Sequence, residues 1–437
     1  MAAAHTPSLI LPNHKEHTRN TAISTIAPSP RLILPLNQHR DTELTPCVTL
    51  GQRVRAHDVI AKPAHPLGAS LHAPVSGIID SIAFHPTPTL QQQSALSIVL
   101  SYQPDMTSIS SPCEHGPWQD MNSISLCELI ASGGIVGLGG AVFPTATKLA
   151  LHAQHTIEQI IINGMECEPY LSCDDRLMRE HASDILQGVQ IAMHACQTQQ
   201  AFIAIESDKP EAVTALSAEL DMLNDSRIHI RVIPMCYPSG DEKHLIRHIT
   251  GRELSHKQLP AEAGCIVSNV ATIYACARWI LNGEPLTSRI VTVSGNGITR
   301  PGNYRIHIGT PIHDVLQHCG AVYKANQQLI MGGPMMGQTL ANTNYPVVKA
   351  TNALILADDR ELDYPSAEQP CIRCGECATV CPAQLLPQQL LVHSRHGNLN
   401  ALRELGLYDC IECGCCDYVC PSHIRLATRF REAKRIN

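Results

Sequence analysis

Two matching runs of cysteine limit what the C-terminal part of this chain can fold into more than any other feature. Cys371-x-x-Cys374-x-x-Cys377-x-x-x-Cys381-Pro382 recurs as Cys410-x-x-Cys413-x-x-Cys416-x-x-x-Cys420-Pro421. Three thiolates at this spacing can wrap one cubane, while the fourth, set apart and followed by proline, reaches the neighbouring cluster. The expected ligand sets are therefore crossed. Cys371, Cys374, Cys377 and Cys420 are expected to hold one [4Fe–4S] cluster, and Cys410, Cys413, Cys416 and Cys381 the other. Gly375 and Gly414 fall inside the tight turns, where the backbone must curl round a cluster and aim amides at its sulfurs. Zinc sites come more often as two Cys-x-x-Cys pairs than as runs of four ending in Cys-Pro. Cys415 breaks the period and is read as a non-ligand.

The remaining thiols (Cys47, Cys113, Cys127, Cys167, Cys173, Cys196, Cys236, Cys265, Cys276 and Cys319) show no framework spacing. They read as reduced, partly buried residues of a reducing compartment rather than disulfide partners. With 437 residues and 44% hydrophobic content the chain can bury several cores. Residues 1–20 lack the apolar stretch and small-residue cleavage site of a signal peptide. No apolar run approaches the roughly 20 residues of a membrane span. A net charge of −7 without a polybasic run argues against nucleic acid and against direct binding to anionic lipid. The 23 histidines form no ligand pair with a carboxylate at helical spacing and read mostly as surface residues.

Residues 1–105 carry short apolar runs such as Leu32-Ile33-Leu34 and Ile78-Ile79, punctuated by turn residues about every ten positions, which predicts a small all-β unit. Gly51-Gln52-Arg53-Val54 and Pro74-Val75-Ser76-Gly77 resemble the barrel-sandwich hybrid of biotinyl and lipoyl carriers. No lysine stands at a carrier's hairpin tip, the nearest being Lys62, so a structural or docking role is expected rather than a swinging arm. Residues 120–285 alternate β-rich runs (Ile160–Ile162, Phe202–Ile205, Ile228–Ile233, Cys265–Val267) with helical patterns (Asp174–Ala195, Gly240–Ile249), predicting a mostly parallel sheet with ligands at its carboxyl ends. Residues 286–340 read as a β-grasp module: strands at Ile290–Val293 and Tyr304–Ile308 feed a helix whose Ile312, Val315, Leu316 and Cys319 share one face. Residues 340–365 read as a connector and 366–432 as a two-cluster, ferredoxin-like helical domain.

Within the α/β centre, the segment Gly133 to Lys148 is rich in glycine. Glycines at Gly137, Gly139 and Gly140 let backbone amides approach a phosphate or a flavin ring, Thr145 can cap the following helix, and Lys148 lies one turn inside it. A tight packing turn would have the same composition, so the loop gains weight from its company. Asn163-Gly164-Met165-Glu166-Cys167-Glu168-Pro169 follows one strand and Tyr237-Pro238-Ser239-Gly240-Asp241-Glu242-Lys243 another, both putting acidic and small polar groups at strand carboxyl ends.

Pro12-Asn13-His14-Lys15, Gly139 to Thr145, Glu166 to Tyr170, Cys173 to Met178, Tyr237 to Gly240, Gly332-Gly333-Pro334-Met335-Met336-Gly337 and the two cysteine runs together carry a family resemblance over nearly the whole chain. The chain resembles the C subunit of the Rnf (Rsx) ion-translocating electron-transport complex, whose centre is similar to the NADH-binding flavoprotein subunit of respiratory complex I. The resemblance implies that Gly137, Gly139, Gly140, Lys148, Asn163, Glu166, Asn269 and Thr272 surround FMN. It also implies that Phe143, Glu168, Gly240, Asp241 and Glu242 lie near NADH, Phe143 stacking on a ring and the carboxylates bonding ribose hydroxyls. The flavoprotein pattern is Gly-Gly-Ala-Gly-Phe-Pro-Thr, and this chain has Val142 at the fourth position, a β-branched residue with restricted φ.

The activity expected from this resemblance is electron transfer among NADH, FMN and two [4Fe–4S] clusters, delivered to membrane subunits of an Rnf-type complex, with ferredoxin or another carrier in the circuit. The subunit is expected to sit peripherally on the cytoplasmic face of the bacterial inner membrane. Two alternatives stand beside it: a soluble diaphorase-type subunit of a hydrogenase or formate dehydrogenase, and a cluster-bearing wiring subunit whose nucleotide site was lost with Val142.

Overall fold

The computed structural model describes residues 9–40, 44–88, 94–104, 116–255, 257–324, 326–358, 361–362 and 367–436. Cys113, read above as a scattered thiol, lies outside them. No helix among the described residues is long and apolar enough to cross a membrane.

The N-terminal sandwich pairs two antiparallel sheets. One runs Arg31–Pro35, Ser94–Tyr102, Gly77–Pro86, Arg53–Val54, and the other Leu44–Pro46, Val59–Pro63, Leu71–His72. Period-two alternation sends Leu32, Leu34, Ile98 and Leu100 inward, all fully buried. The sandwich begins only at Arg31. Residues 9–21 run instead along the α/β unit, where Lys15 Nζ donates to Glu166 O (2.6 Å), Tyr170 N donates to Asn13 O (2.8 Å), and His14 stacks on Tyr170. Ser24–Thr25 then joins a third sheet, parallel to Gly302–His307. This strap has little apolar alternation of its own, so its partners decide where it lies.

The central unit is a four-stranded, all-parallel sheet in the order Ile228–Ile233, Ala201–Glu206, Gln159–Gly164, Cys265–Asn269. Ile160, Ile161 and Ile162 are buried on both faces, as continuous apolar runs in helix-covered parallel sheets should be. The predicted helix over Asp174–Ala195 is two helices, Cys173–Glu180 and Ala182–Ala195, broken at His181. Successive strands add on one side of Gln159–Gly164 and then jump to the other, so the order reverses between Gln159–Gly164 and Cys265–Asn269. The crevice outside the carboxyl ends of those two strands is where such sheets bind ligands.

The third sheet has six strands: Ser24–Thr25, Gly302–His307, Ser288–Ser294, Ala353–Asp358, Gln327–Met331 and Gln338–Leu340, with the helix Ile312–His318 packed on it. Residues 340–365, read as a connector, thus contain one of its central strands. Ala353-Leu354-Ile355-Leu356 is short, but Ala353, Leu354 and Ile355 are fully buried and pair with strands on both sides. The C-terminal unit is helical (Glu376–Thr379, Pro387–Arg395, Leu399–Glu404, Cys415–Tyr418, Leu426–Arg435) around Leu390, Leu391, Leu402, Leu407 and Phe430.

Candidate functional site

The duplicated cysteine runs fold as two similar half-units. Arg373, Gly375 and Gln384 have φ of 58°, 87° and 52°, and their counterparts Glu412, Gly414 and His423 have 58°, 76° and 54°. These left-handed residues curl each loop around a hollow. One hollow is lined by Cys371, Cys374, Cys377 and Cys420, and the other by Cys410, Cys413, Cys416 and Cys381, so the fourth cysteine of each run faces its partner's loop. Backbone amides aim at the sulfurs in matching fashion, Leu385 N at Cys381 Sγ (3.4 Å) and Ile424 N at Cys420 Sγ (3.5 Å). Cys415 also borders the second hollow, but it is 1% exposed and packs in an apolar cluster with Leu11 and Tyr237.

The two hollows differ in exposure. Cys371 and Cys374 are exposed, beside an Ile372 that is 68% accessible, whereas Cys413 and Cys416 are buried. What buries the second hollow is the α/β unit and its neighbours. Tyr237 Oη donates to Cys413 O (2.7 Å), His244 Nε2 lies 3.3 Å from Pro382 O, and Met335 O stands where a Cβ on Gly414 would come within 2.9 Å. Tyr237, Met335 and Gly414 were all visible in the sequence as motif residues, but nothing in their pattern indicated that they meet.

At the strand-order reversal, the glycine loop, Asn163 and Asn269 converge. Val136 bridges Pro144, Gly137 N donates to Phe143 O (2.8 Å) and Val142 N to Gly137 O (3.1 Å), closing residues 137–143 into a loop. Leu138 N donates to Thr272 Oγ1 (2.8 Å), so Thr272 supports the loop from beneath. Asn163 Nδ2 donates to Gly240 O (2.8 Å), and Asn269 caps the helix Val270–Asn282 while donating to Asp174 Oδ2 (2.7 Å). Gly139 and Gly140 are exposed; a Cβ on Gly140 would meet nothing, and one on Gly139 only the Asn269 side chain. Val142 takes φ = 44°, the left-handed backbone of a glycine, so the loop keeps that shape despite the β-branched side chain.

Several expected roles shift. Thr145 is the first helical residue and not the cap; Pro144 occupies that position, and Thr145 Oγ1 is buried without a hydrogen-bond partner. Lys148 Nζ donates to Glu242 Oε1 (2.7 Å) and Val267 O (2.9 Å), joining a residue expected at FMN to one expected at NADH. Asp241 caps the helix Glu242–Thr250 through the amides of Lys243 and His244. Glu166 turns inward at φ = 49° and accepts from Asp174 N (2.7 Å) and Asp175 N (3.1 Å), capping Cys173–Glu180; burial pushes its pKa up to about 7. Glu168 departs furthest from expectation. Its carboxylate accepts from Met335 N (3.1 Å) and Met336 N (2.7 Å), burial pushes its pKa up to about 7, and a Cβ on Gly333 would collide with it. That carboxyl fastens the Gly332–Gly337 loop through two of its acceptor positions. Phe143 is half-buried at the loop's end.

The crevice meets the requirements of a phosphorylated flavin. It has an open glycine cradle, a buried Thr145 hydroxyl lacking a partner and an ammonium at Lys148. Opposed cysteine sets around hollows likewise suit thiolate-bound clusters.

Four family models match separate stretches of the chain. A model of the Nuo51 FMN-binding domain matches residues 130–278, one of the RnfC barrel sandwich hybrid domain residues 8–103, one of the SLBB domain residues 290–339, and one of the 4Fe-4S dicluster domain residues 367–430. The chain is 42% identical over 427 residues to the C subunit of the ion-translocating oxidoreductase complex of Rhodobacter capsulatus, covering 96% of this chain and 80% of that one. Proteins of the same name from Pseudomonas aeruginosa and Erwinia tasmaniensis are 40% and 42% identical, over 89% and 97% of this chain but only 50% and 52% of theirs. Among solved structures, a chain of an NAD+-reducing [NiFe]-hydrogenase in the air-oxidized state shares the fold, with a TM-score of 0.52 at 18% identity over 72% of this chain and 67% of that one.

Proposed function

Because the chain belongs to the family of C subunits of ion-translocating oxidoreductase complexes, we propose that it is the electron-transfer subunit of such a complex, with FMN and two [4Fe–4S] clusters as its cofactors. The observation that carries this reading is the pair of opposed cysteine hollows, the buried one pressed against the crevice-bearing unit and the other facing outward. FMN, when bound, can exchange electrons in pairs with a dinucleotide and singly with clusters. The chain's own residues do the rest. The Gly137–Phe143 backbone, Thr145 and Lys148 hold the flavin phosphate, and Asn163 and Asn269 set the position of the ring. Asp241 and Glu242 face the dinucleotide, with NADH as the proposed donor. Tyr237 and Met335 exclude water between the crevice and the Cys410–Cys416 loop, the inner station, and the exposed Cys371–Cys374 loop is the outer one. Ile372 offers a contact face beside it for a membrane subunit or a carrier such as ferredoxin. The protein attaches by protein contacts at the cytoplasmic face of the membrane.

The test is anaerobic purification followed by metal, sulfide and flavin counts and an NADH titration followed by absorbance. About eight iron and one FMN per chain, with flavin and cluster bleaching on NADH, are expected; about four iron, or zinc alone, refutes the two-cluster reading. A wiring role without flavin is disfavoured by the glycine-like backbone of Val142, which preserves the loop.

A further inference from the structure

The sandwich, the α/β unit and the six-stranded sheet border a partly open cavity of about 400 Å³, lined by residues of all three. Small-molecule sites commonly occupy roughly 300–1,000 Å³. Of the residues assigned above to FMN, NADH or the clusters, only Leu138, within the Gly137–Phe143 loop, lines it.

Its charges do not balance. Arg278 is neutralised by Glu284, at 3.0 and 2.6 Å. Arg289, 3% exposed, donates to the carbonyls of Lys349 and Leu138, and Arg305 rests against Tyr274, 3.0 Å from its hydroxyl. Among the described residues no carboxylate comes within 4.0 Å of either guanidinium. The other acid on the wall, Asp174, accepts from Asn269 and attracts Arg289, while burial raises its pKa. Of the three histidines on the wall, His181 is paired with Asp184 (3.2 Å), and the other two complete the polar side. His307 Nδ1 is buried without a hydrogen-bond partner. His57 reaches the cavity from a backbone held at φ = 75°, a conformation that non-glycine residues rarely adopt and that recurs at functional sites. Leu177, Ala275 and Ile290 supply apolar lining.

We infer that this cavity binds a small phosphomonoester, its head between Arg305, Arg289, His57 and His307 and its organic body against the apolar lining. A guanidinium without an ion pair at Arg305, beside Arg289 whose charge is only partly offset by Asp174, suits the near-dianionic charge of a phosphate ester at neutral pH better than a monocarboxylate, and a guanidinium fork matches phosphate oxygens bidentately. Arg289 donates to Leu138 O, and Leu138 N is held by Thr272, so an occupant would press on the glycine loop from behind.

Calorimetric titration of the full-length, cluster-loaded protein with phenyl phosphate tests this. Saturable one-to-one binding is expected, with inorganic phosphate competing weakly, benzoate binding at least about ten-fold more weakly, and saturating FMN causing no displacement. Arg305→Met and His57→Phe, in different units of the fold, should each weaken phenyl phosphate about ten-fold or more while iron and flavin content stay unchanged. No saturation at millimolar ligand overturns the inference, as does wild-type affinity in both variants. Benzoate binding as tightly as phenyl phosphate, or displacement by FMN, also overturns it, the latter because the phosphate would then have entered the flavin crevice.

Discussion

Lys349 gives a sharp test of the electrostatics at the junction of the three N-terminal units. Its side chain is fully buried; Nζ donates to Ser70 O (3.1 Å) and Gly134 O (2.6 Å) and lies 2.8 Å from His39 Nε2. Among the described residues no carboxylate lies within 4.0 Å of it. Burial lowers its pKa from 10.5 to about 7, and burial, with the neighbouring Lys349, holds His39 well below 6.5. Between these two lysine values the unfolded chain keeps a proton that the folded chain has released, so stability rises with pH from about 7 to 10.5. Below that window the penalty of burying the charge is fully present. The shift corresponds to about 5 kcal/mol at most, and relaxation around the charge can reduce it to about half. Lys349→Met removes the titration. It also leaves the Ser70 and Gly134 carbonyls without a donor, at about 1–3 kcal/mol each, but that cost is the same at every pH. Urea midpoints of both proteins, followed by amide exchange at the junction from about pH 6 to 10.5, should therefore show a difference that moves by about 2–5 kcal/mol, with the variant relatively most stable at the acid end. Parallel profiles would refute the argument.

Cys381→Ala should damage the cluster of the Cys410 run more than that of the Cys371 run in electron paramagnetic resonance; the reverse pattern excludes crossed ligation. Val142→Asn should raise the unfolding free energy by about 1 kcal/mol, because asparagine tolerates a left-handed backbone better than a β-branched residue does, and a loss of stability would count against strain at φ = 44°. Glu168→Ala strips two amides of their acceptor, about 1–3 kcal/mol each, so exchange at Met335, Met336 and Gly414 should accelerate while flavin content holds. Unchanged protection there would show that Glu168 does not fasten the Gly332–Gly337 loop.

The architecture was legible where local pattern governs. The alternation of Leu32 and Leu34, the continuous Ile160–Ile162 run and the shared helix face of Ile312, Val315 and Leu316 each announce their element, and all are buried as expected. The cysteine runs were legible because a cluster imposes short, fixed spacings. What the sequence hid depends on contacts between distant segments. Ala353–Asp358 looks like a connector until two flanking strands pair with it, and nothing near Glu168 indicates that its carboxylate is met by the amides of Met335 and Met336. Lys148 and Glu242 were assigned to different ligands because an ion pair across two loops has no sequence period. The cavity at the junction was invisible for the same reason, since its arginines, tyrosine and histidines come from segments that show no common motif.

The N-terminal strap has a temporal consequence. Ser24 and Thr25 complete their hydrogen bonding only on Tyr304 and Arg305, and the segment before them lies on the α/β unit. At bacterial elongation speeds of about 5–20 residues per second, a partner about 280 residues downstream leaves the ribosome roughly 15–60 s after the strap does. During that interval the sandwich can close, while the strap waits beside a growing chain with its backbone groups unpaired. A premature stop or a slow codon before residue 304 would therefore lengthen the exposure of the strap to chaperones and proteases, although the fault lies hundreds of residues away.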